Sequence, residues 1–353
     1  MRRPLFLHIP LSERILFAKH LSIMVKTGMT LLGSLMLIKK QMRSKSFIYV
    51  LEKIIADVEG GQFLSQSLKK FERLFSSIFV NVIKIGETSG TLSDNLAYLS
   101  LELQKKRVLR QKVRSALIYP SVILLATLGV TGILAFFVMP RITPIFLTLK
   151  VTLPWTTRSL IATSSFLFEY GIYVLLGVTA LTSVWFLLLR FFTQFRFFTH
   201  RLILATPFIG SVSRMANLAE FTRTLGLLLK SGTKIVEAIQ ITADSMRNLV
   251  YREALMEASE TIKRGELLHV YLSKREDLFF STASRMIEVG DATGTLEINL
   301  FYLADFYENE VDETTKIMSS VLEPAMLLIM GIIVGFVAVS IITPIYEITQ
   351  TLR

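Results

Sequence analysis

The residues best placed to do chemistry in this chain are two carboxylates, Glu87 and Asp291, set in the same surroundings. Glu87 belongs to Gly86-Glu87-Thr88-Ser89-Gly90-Thr91-Leu92; Asp291 belongs to Gly290-Asp291-Ala292-Thr293-Gly294-Thr295-Leu296, 204 positions on. Each lies near the expected N-terminus of a helix, where negative charge is stabilised by about 0.3–1 kcal/mol. The sharper alternative is a docking point for a partner protein. Little else suggests chemistry. There is no cysteine, which removes thiol redox chemistry and Cys-based zinc sites, and the four histidines (His8, His20, His200, His269) are scattered without metal-ligand spacing. The stretch Gly226 to Gly232 superficially resembles a phosphate loop, but it has five residues between the glycines and Thr233 where lysine belongs. No nucleophile stands beside a base. No catalytic residue, metal or cofactor is expected.

The elements that hold these carboxylates come in two copies. Ile83, Asn95, Leu96, Tyr98 and Leu99 meet Ile287, Asn299, Leu300, Tyr302 and Leu303 at the same shift. Phe17, Leu21, Gly28, Pro120 and Pro140 meet Phe221, Leu225, Gly232, Pro324 and Pro344 without a gap. Solenoid repeats run at about 20–50 residues, so this longer period marks a duplicated domain.

The chain is 52% hydrophobic, and its mean hydropathy is +0.52. Three stretches, 115–140, 170–189 and 324–346, carry no charge. Each has the length of about 20 residues that crosses a bilayer as a helix. Lysine and arginine number 20 in 1–116, three in 140–170, 15 in 190–321 and one after the last span. Cytoplasmic loops carry that excess. The expectation is a bundle at 1–116 inside, a span at 117–139, an external loop at 140–169 and a span at 170–191. A second bundle at 192–320 follows inside, then a span at 321–346 and an external tail at 347–353. The start Met1-Arg2-Arg3 lacks a long apolar core, so the first bundle is expected to begin in the cytoplasm.

Within 1–116 the apolar period is helical, with no sustained alternation, and predicts an all-α bundle whose short loops set neighbours antiparallel. Ser12 reads as a helix start, Gly28 as a stop, and Thr30 as the next start. Helices follow over Phe47–Val58, Ser65–Phe71 and Ser76–Ile85. The Gly86–Gly90 corner then leads into a sixth helix, with Thr91 and Asp94 as a capping box. Leu92 to Ser115 has neither Gly nor Pro, so this helix is expected to run on as a stalk into the first span.

The spans hold no interior Asp, Glu, Lys, Arg or His, which disfavours a pump or secondary transporter. Glu323, where the first copy has Tyr119, reads as an interfacial residue. Gly331 and Gly335 form a Gly-x-x-x-Gly pair whose counterparts are Thr127 and Thr131; small residues four apart let helices approach closely. Arg190 to Phe198 interleaves basic and aromatic residues. Directly after a span, this reads as a helix end in the headgroup layer and not as a nucleic-acid surface.

The stalks differ in charge. The first reads Lys105-Lys106-Arg107-Val108-Leu109-Arg110-Gln111-Lys112; the second, at the same offset, Asn309-Glu310-Val311-Asp312-Glu313-Thr314-Thr315-Lys316. Residues 1–116 hold 20 basic and 8 acidic side chains, net +12; residues 190–321 hold 15 and 17, net −2. Lys106 and Arg110 are therefore expected to pair with Glu310 and Glu313, within one chain or between copies; the alternative is that the basic stalk meets anionic headgroups and the acidic one is a solvated face.

At its doubled corners the sequence resembles the type II secretion F family, which includes platform proteins of type IV pili. The resemblance extends to Ala116-Leu117-Ile118-Tyr119-Pro120, Leu153-Pro154, Thr206-Pro207-Phe208-Ile209-Gly210, Leu322-Glu323-Pro324 and Pro344-Ile345-Tyr346. Three features depart from the family: the long N-terminal extension of many members is not seen, Asp291 stands for its glutamate, and Leu74-Phe75 and Phe279-Phe280 replace a frequent proline. The resemblance implies an all-α membrane protein with two cytoplasmic bundles of about six helices and three transmembrane helices. Its implied place is a multi-pass one in the bacterial inner membrane, N-terminus inside and C-terminus outside. Its implied role is non-enzymatic, linking a hexameric cytoplasmic assembly ATPase to pilin or pseudopilin subunits. Other inner-membrane assembly proteins, further copies of the chain and membrane lipid are the remaining partners, with no direct nucleic-acid contact. Gly86, Glu87, Gly90 and Leu92, with Gly290, Asp291, Gly294 and Leu296, are the motif positions where partners are expected. A polytopic transporter or channel is the alternative function.

Overall fold

The computed structural model describes residues 7–133, 144, 154–207 and 209–351. The elements among them are α-helices: α1 (Leu11–Lys26), α2 (Leu31–Gln41), α3 (Lys45–Glu59), α4 (Leu64–Lys69), α5 (Glu72–Ser89), α6 (Leu92–Ile133) and α7 (Trp155–Phe191). Then come α8 (Thr193–Ala205), α9 (Ile209–Lys230), α10 (Ile235–Ser245), α11 (Leu249–Lys263), α12 (Leu268–Ser273), α13 (Ser281–Thr293) and α14 (Leu296–Thr351). The shift of 204 carries α2, α3 and α4 onto α10, α11 and α12 residue for residue.

The chain divides into two compact units. The first, Met1–Lys112 with Phe197–Glu313, contains both repeats. Within each repeat successive helices are neighbours, as short connections dictate. The loops act through local hydrogen bonds. Thr30 Oγ1 accepts from Gly33 N at 3.2 Å to start α2, and Ser44 Oγ accepts from Phe47 N at 3.3 Å to start α3. The expected start at Ser12 is displaced; Pro10 caps α1 without a side-chain bond.

Each repeat centres on three rings, from its first helix, its third helix and the chain at the start of its fifth: Phe75 lies in α5, Phe279 just before α13. Phe17, Phe47 and Phe75 stand 5.6–6.0 Å apart in the first repeat. In the second, Phe279 lies 5.7 Å from Phe221 and 5.6 Å from Tyr251, whose hydroxyl donates to the Leu278 carbonyl at 2.7 Å. That bond is what lets a tyrosine replace Phe47 in a dry core. One continuous apolar cluster runs through both repeats.

The fifth helices differ at their starts. Ser76 has φ 61° and ψ 152° and kinks α5, whereas α13 begins after Phe280 at φ −59°. A non-glycine residue in that region carries about 1–3 kcal/mol of strain.

The second unit is Val113–Arg196 with Thr314–Arg353. Within it the start of α7 packs on α14. Thr157 Oγ1 donates to the Ser340 carbonyl at 2.7 Å, the Trp155 and Phe336 rings are 6.0 Å apart, and Leu160 and Val337 are buried together. Helix α7 begins at Trp155, well before residue 170, so the later half of the stretch expected as a loop is helical. At the far end α14 continues to Thr351. Among the described residues one stretch, Phe168–Phe191, is long and apolar enough to cross a bilayer: 24 residues, mean hydropathy 2.2, none of it buried. Pro324–Ser340 is a shorter apolar helix, and the stretch 117–139 runs past the described residues.

Candidate functional site

The duplicated corner comes first, because both candidate carboxylates belong to it. Helix α5 does not stop at Gly86 as expected; it continues to Ser89, and the chain turns at Gly90, whose φ of 74° is left-handed. Gly294 ends α13 the same way at φ 69°. Only glycine adopts this conformation without a steric cost. Gly86 has a different reason. A Cβ there would lie 2.8 Å from the Leu92 Cα, and one on Gly290 would lie 2.8 Å from the Leu296 Cα. The bare glycine is what lets the fifth and sixth helices meet so closely. Asn95 and Asn299 complete the corner by donating to the carbonyls of Val82 at 3.3 Å and Met286 at 3.0 Å.

Glu87 uses both carboxylate oxygens inside this frame. Oε1 accepts from Leu64 N at 2.6 Å and Oε2 from Ser65 N at 2.9 Å. It therefore serves the start of α4, not the sixth helix as the sequence suggested. Bonds from backbone N–H to an ionised carboxylate are the strong kind. Asp291, one methylene shorter, lies 3.2 Å from Nδ1 of His269, on α12 where the first repeat has Ser65. Both carboxylates are half-buried and engaged within their own repeats.

The second candidate region is where the repeats meet. Arg223 on α9 is its centre: Nη1 donates to Glu102 on α6 at 2.8 Å, Nη2 to Asp305 on α14 at 2.6 Å, and Nε to Glu308 on α14 at 2.8 Å. Its side chain is 6% exposed and that of Glu102 is 9%. Burial alone would lower the Arg223 pKa, but the hydrogen bond to Asp305 and the charges of Glu102 and Glu308 outweigh it, and the net shift is upward. Burial pushes the Glu102 carboxyl up in spite of Arg223. At the more exposed Asp305, bonds from Arg223 and Lys105 overcome burial and hold the carboxyl below its ordinary range. Around this centre Lys105 bonds Asp305 at 2.8 Å, Lys106 bonds Glu220, and Lys112 lies 3.2 Å from Asp312. Lys230 Nζ sits 3.8 Å from the centre of the Tyr98 ring.

Opposite charge on the two repeats thus meets, in a register different from the one expected. Lys106 goes to Glu220 on α9 and not to Glu310 or Glu313. Arg110 feels Arg247 and Glu220, and burial lowers its pKa first of all. The sequence reading missed Arg223, Glu102, Asp305 and Glu308, since the partners are 82 to 121 positions from Arg223. A signal did exist: Arg223 falls where the first repeat has Lys19, on a helix whose other side faces the core. In the second unit, among the described residues outside their own stretch of helix, no atom lies within 4 Å of where a Cβ of Gly331 or Gly335 would stand, and Thr127 turns its hydroxyl back to the Ile123 carbonyl at 2.9 Å. The contact of α14 with α7 runs instead through Val337 and Ser340; the Thr131 side chain lies outside the described residues. No group of three or more His, Asp or Glu could hold a metal ion among the described residues.

Two copies of one helical bundle, locked by buried charge and each continued by a long helix, define a duplicated helical scaffold with a candidate membrane span. The family model for type II secretion system (T2SS), protein F matches residues 17–140 and again 221–344. The chain belongs to that family. It is similar to the type IV pilus assembly protein PilC of Thermus thermophilus, 36% identical over 345 residues that cover 97% of this chain and 84% of that one. It is also similar to the type II secretion system protein F of Aeromonas hydrophila, 31% identical over 350 residues, covering 96% and 87%. The type IV pilus assembly protein TapC of the same organism is 29% identical over 334 residues, covering 94% and 80%.

Proposed function

We propose that this protein is the non-enzymatic platform of a type II secretion or type IV pilus-like machine in the bacterial inner membrane. On this reading three spans, 117–139, 170–191 and 321–346, leave both bundles in the cytoplasm and the tail outside. The cytoplasmic body meets a hexameric assembly ATPase, and the membrane part meets pilin or pseudopilin subunits, other assembly proteins, lipid and further copies of the chain. Glu87 and Asp291 are engaged within their corners, so a docking role for the corner falls to its exposed residues, Gly90 among them.

The observation that carries the reading is the charge-locked contact between the repeats. Arg223 ties α9 to both stalk helices, α6 and α14, and so joins the two bundles into one compact body suited to passing on a push from a motor. The test is cross-linking in intact membranes followed by purification of a tagged chain. Recovery of the assembly ATPase together with a pilin-like subunit is expected; a correctly folded chain that captures neither refutes the platform. A reporter fused after Arg353 is expected to be active only outside, and cytoplasmic activity refutes the three-span topology.

A further inference from the structure

The two repeats share a fold but not an environment. From Phe221 to Leu228 every residue of α9 is buried, because the first repeat covers the side turned away from its own core. The same side of α1 is open: Ile23 is 52% exposed where its counterpart Leu227 is 3%. The covering face behaves in the opposite way. Ile85 on α5 reaches to 3.9 Å from a Cβ built on Gly232, and Tyr98 on α6 carries Lys230. Their counterparts Val289 and Tyr302 are 52% and 60% exposed. The counterpart of Lys230, Lys26, reaches Asp94 of its own repeat instead, at 3.8 Å.

The contact is therefore head-to-tail. One face type, on α5 and α6, meets the other type, on α9 and α10, and among the described residues the reciprocal contact is not made. A heterologous contact of this kind leaves one unused face of each type, the repeat counterparts of the two faces that do meet. The stalk pairs show what repeating it would build. Lys105–Asp305 and Lys112–Asp312 advance by the same seven residues in the same direction, so α6 and α14 run parallel. An operator that keeps the stalks parallel lets every added copy enter one membrane from one side.

We propose that the unused faces bind a second copy of this chain: the α13/α14 face of one protomer docks on the α1/α2 face of the next, in the geometry of the internal contact. Ile23 takes the place of Leu227, Val289 that of Ile85, and Lys26 meets Tyr302 as Lys230 meets Tyr98. Phe306 stands where Glu102 stands and Lys19 where Arg223 does, so a cation–aromatic contact replaces the buried charge cluster. The copy-to-copy contact is thus the separable version of the permanent internal one. Charge selects the same pairing, since a repeat of net +12 meets one of net −2 and not another like itself. The proposal deepens the self-association named above and rests on that reading only there.

The chain has no cysteine, so introduced ones report alone. Two differently tagged full-length chains, one Lys26→Cys and the other Tyr302→Cys, are co-expressed, and their membranes are treated with a short bis-maleimide. A bridged pair of unlike chains is expected at least tenfold above either chain alone. Adding Ile23→Arg to the first chain is expected to reduce it tenfold. Equal self-bridging of either single chain means a two-fold contact and overturns the proposal. So does absence of the unlike pair when a chain carrying Tyr98→Cys and Lys230→Cys is bridged internally, or a yield indifferent to Ile23→Arg. None of these readouts measures secretion or filament growth, so their failure leaves the platform role standing.

Discussion

The first repeat and the second keep the same interior and trade their exteriors. Three rings, a corner with two glycines and an asparagine tied to the fifth helix recur at a shift of 204. Outside, Lys19 is exposed where Arg223 is buried among three carboxylates, and a basic stalk lies against an acidic one. The two bundles match inside, and the face that joins them is where they differ. The joining faces are of different types, α5 and α6 on one repeat and α9 and α10 on the other, and a basic face against an acidic one fixes which side meets which.

Pairs of matched substitutions test that contrast, read as thermal midpoints of the detergent-solubilised full chain. The largest effect is expected at Arg223→Ala. Removing one partner of a buried ionic cluster costs about 3–5 kcal/mol, because the carboxylates left behind are desolvated and unpaired. Lys19→Ala, at the matching position, is expected to stay within about 0.5 kcal/mol of the parent as an ordinary surface change. Equal effects would remove the asymmetry.

Gly86→Ala and Gly290→Ala are expected to cost about 1–3 kcal/mol each, since the new methyl meets backbone that cannot move aside. Here the repeats are predicted to agree. A tolerated alanine at one site and not the other would show that the corners are not equivalent.

Glu87→Ala comes next. It strips the acceptor from two N–H groups at the start of α4 and is expected to cost about 1–3 kcal/mol. Asp291→Ala loses a half-buried contact with His269 and is expected to cost less than about 1 kcal/mol. Unchanged midpoints in both, with assembly abolished, would move the carboxylates from structure to docking.

A small effect is also expected at Asp305→Asn, where the first repeat has Leu101. The Asp305 carboxyl is held below its ordinary range, so its contribution is present above the unfolded pKa and is lost as pH falls through the folded value. Its side chain is 55% exposed, so the deficit at neutral pH is expected to stay under about 1 kcal/mol. The gap to the parent should close as pH drops below about 3.9. A gap that widens in acid would contradict the pairing with Arg223 and Lys105.

The amino-acid sequence by itself determined the duplication, the helical character and the position of each corner. Those features are local: a helical apolar period, a glycine that must be left-handed and a glycine that must be bare are all written within a few residues of where they act. The opposite net charge of the repeats was legible as well. Only the tertiary structure decided that Lys106 meets Glu220 and not Glu310, that Arg223 gathers Glu102, Asp305 and Glu308, and that Glu87 reaches across to α4. Such partners depend on which faces of two helices turn together, and nothing within one turn of either residue specifies that. The same reason separates Leu227 from Ile23: each is apolar, at the same place in the same helix, and burial comes from the neighbour that one has and the other lacks.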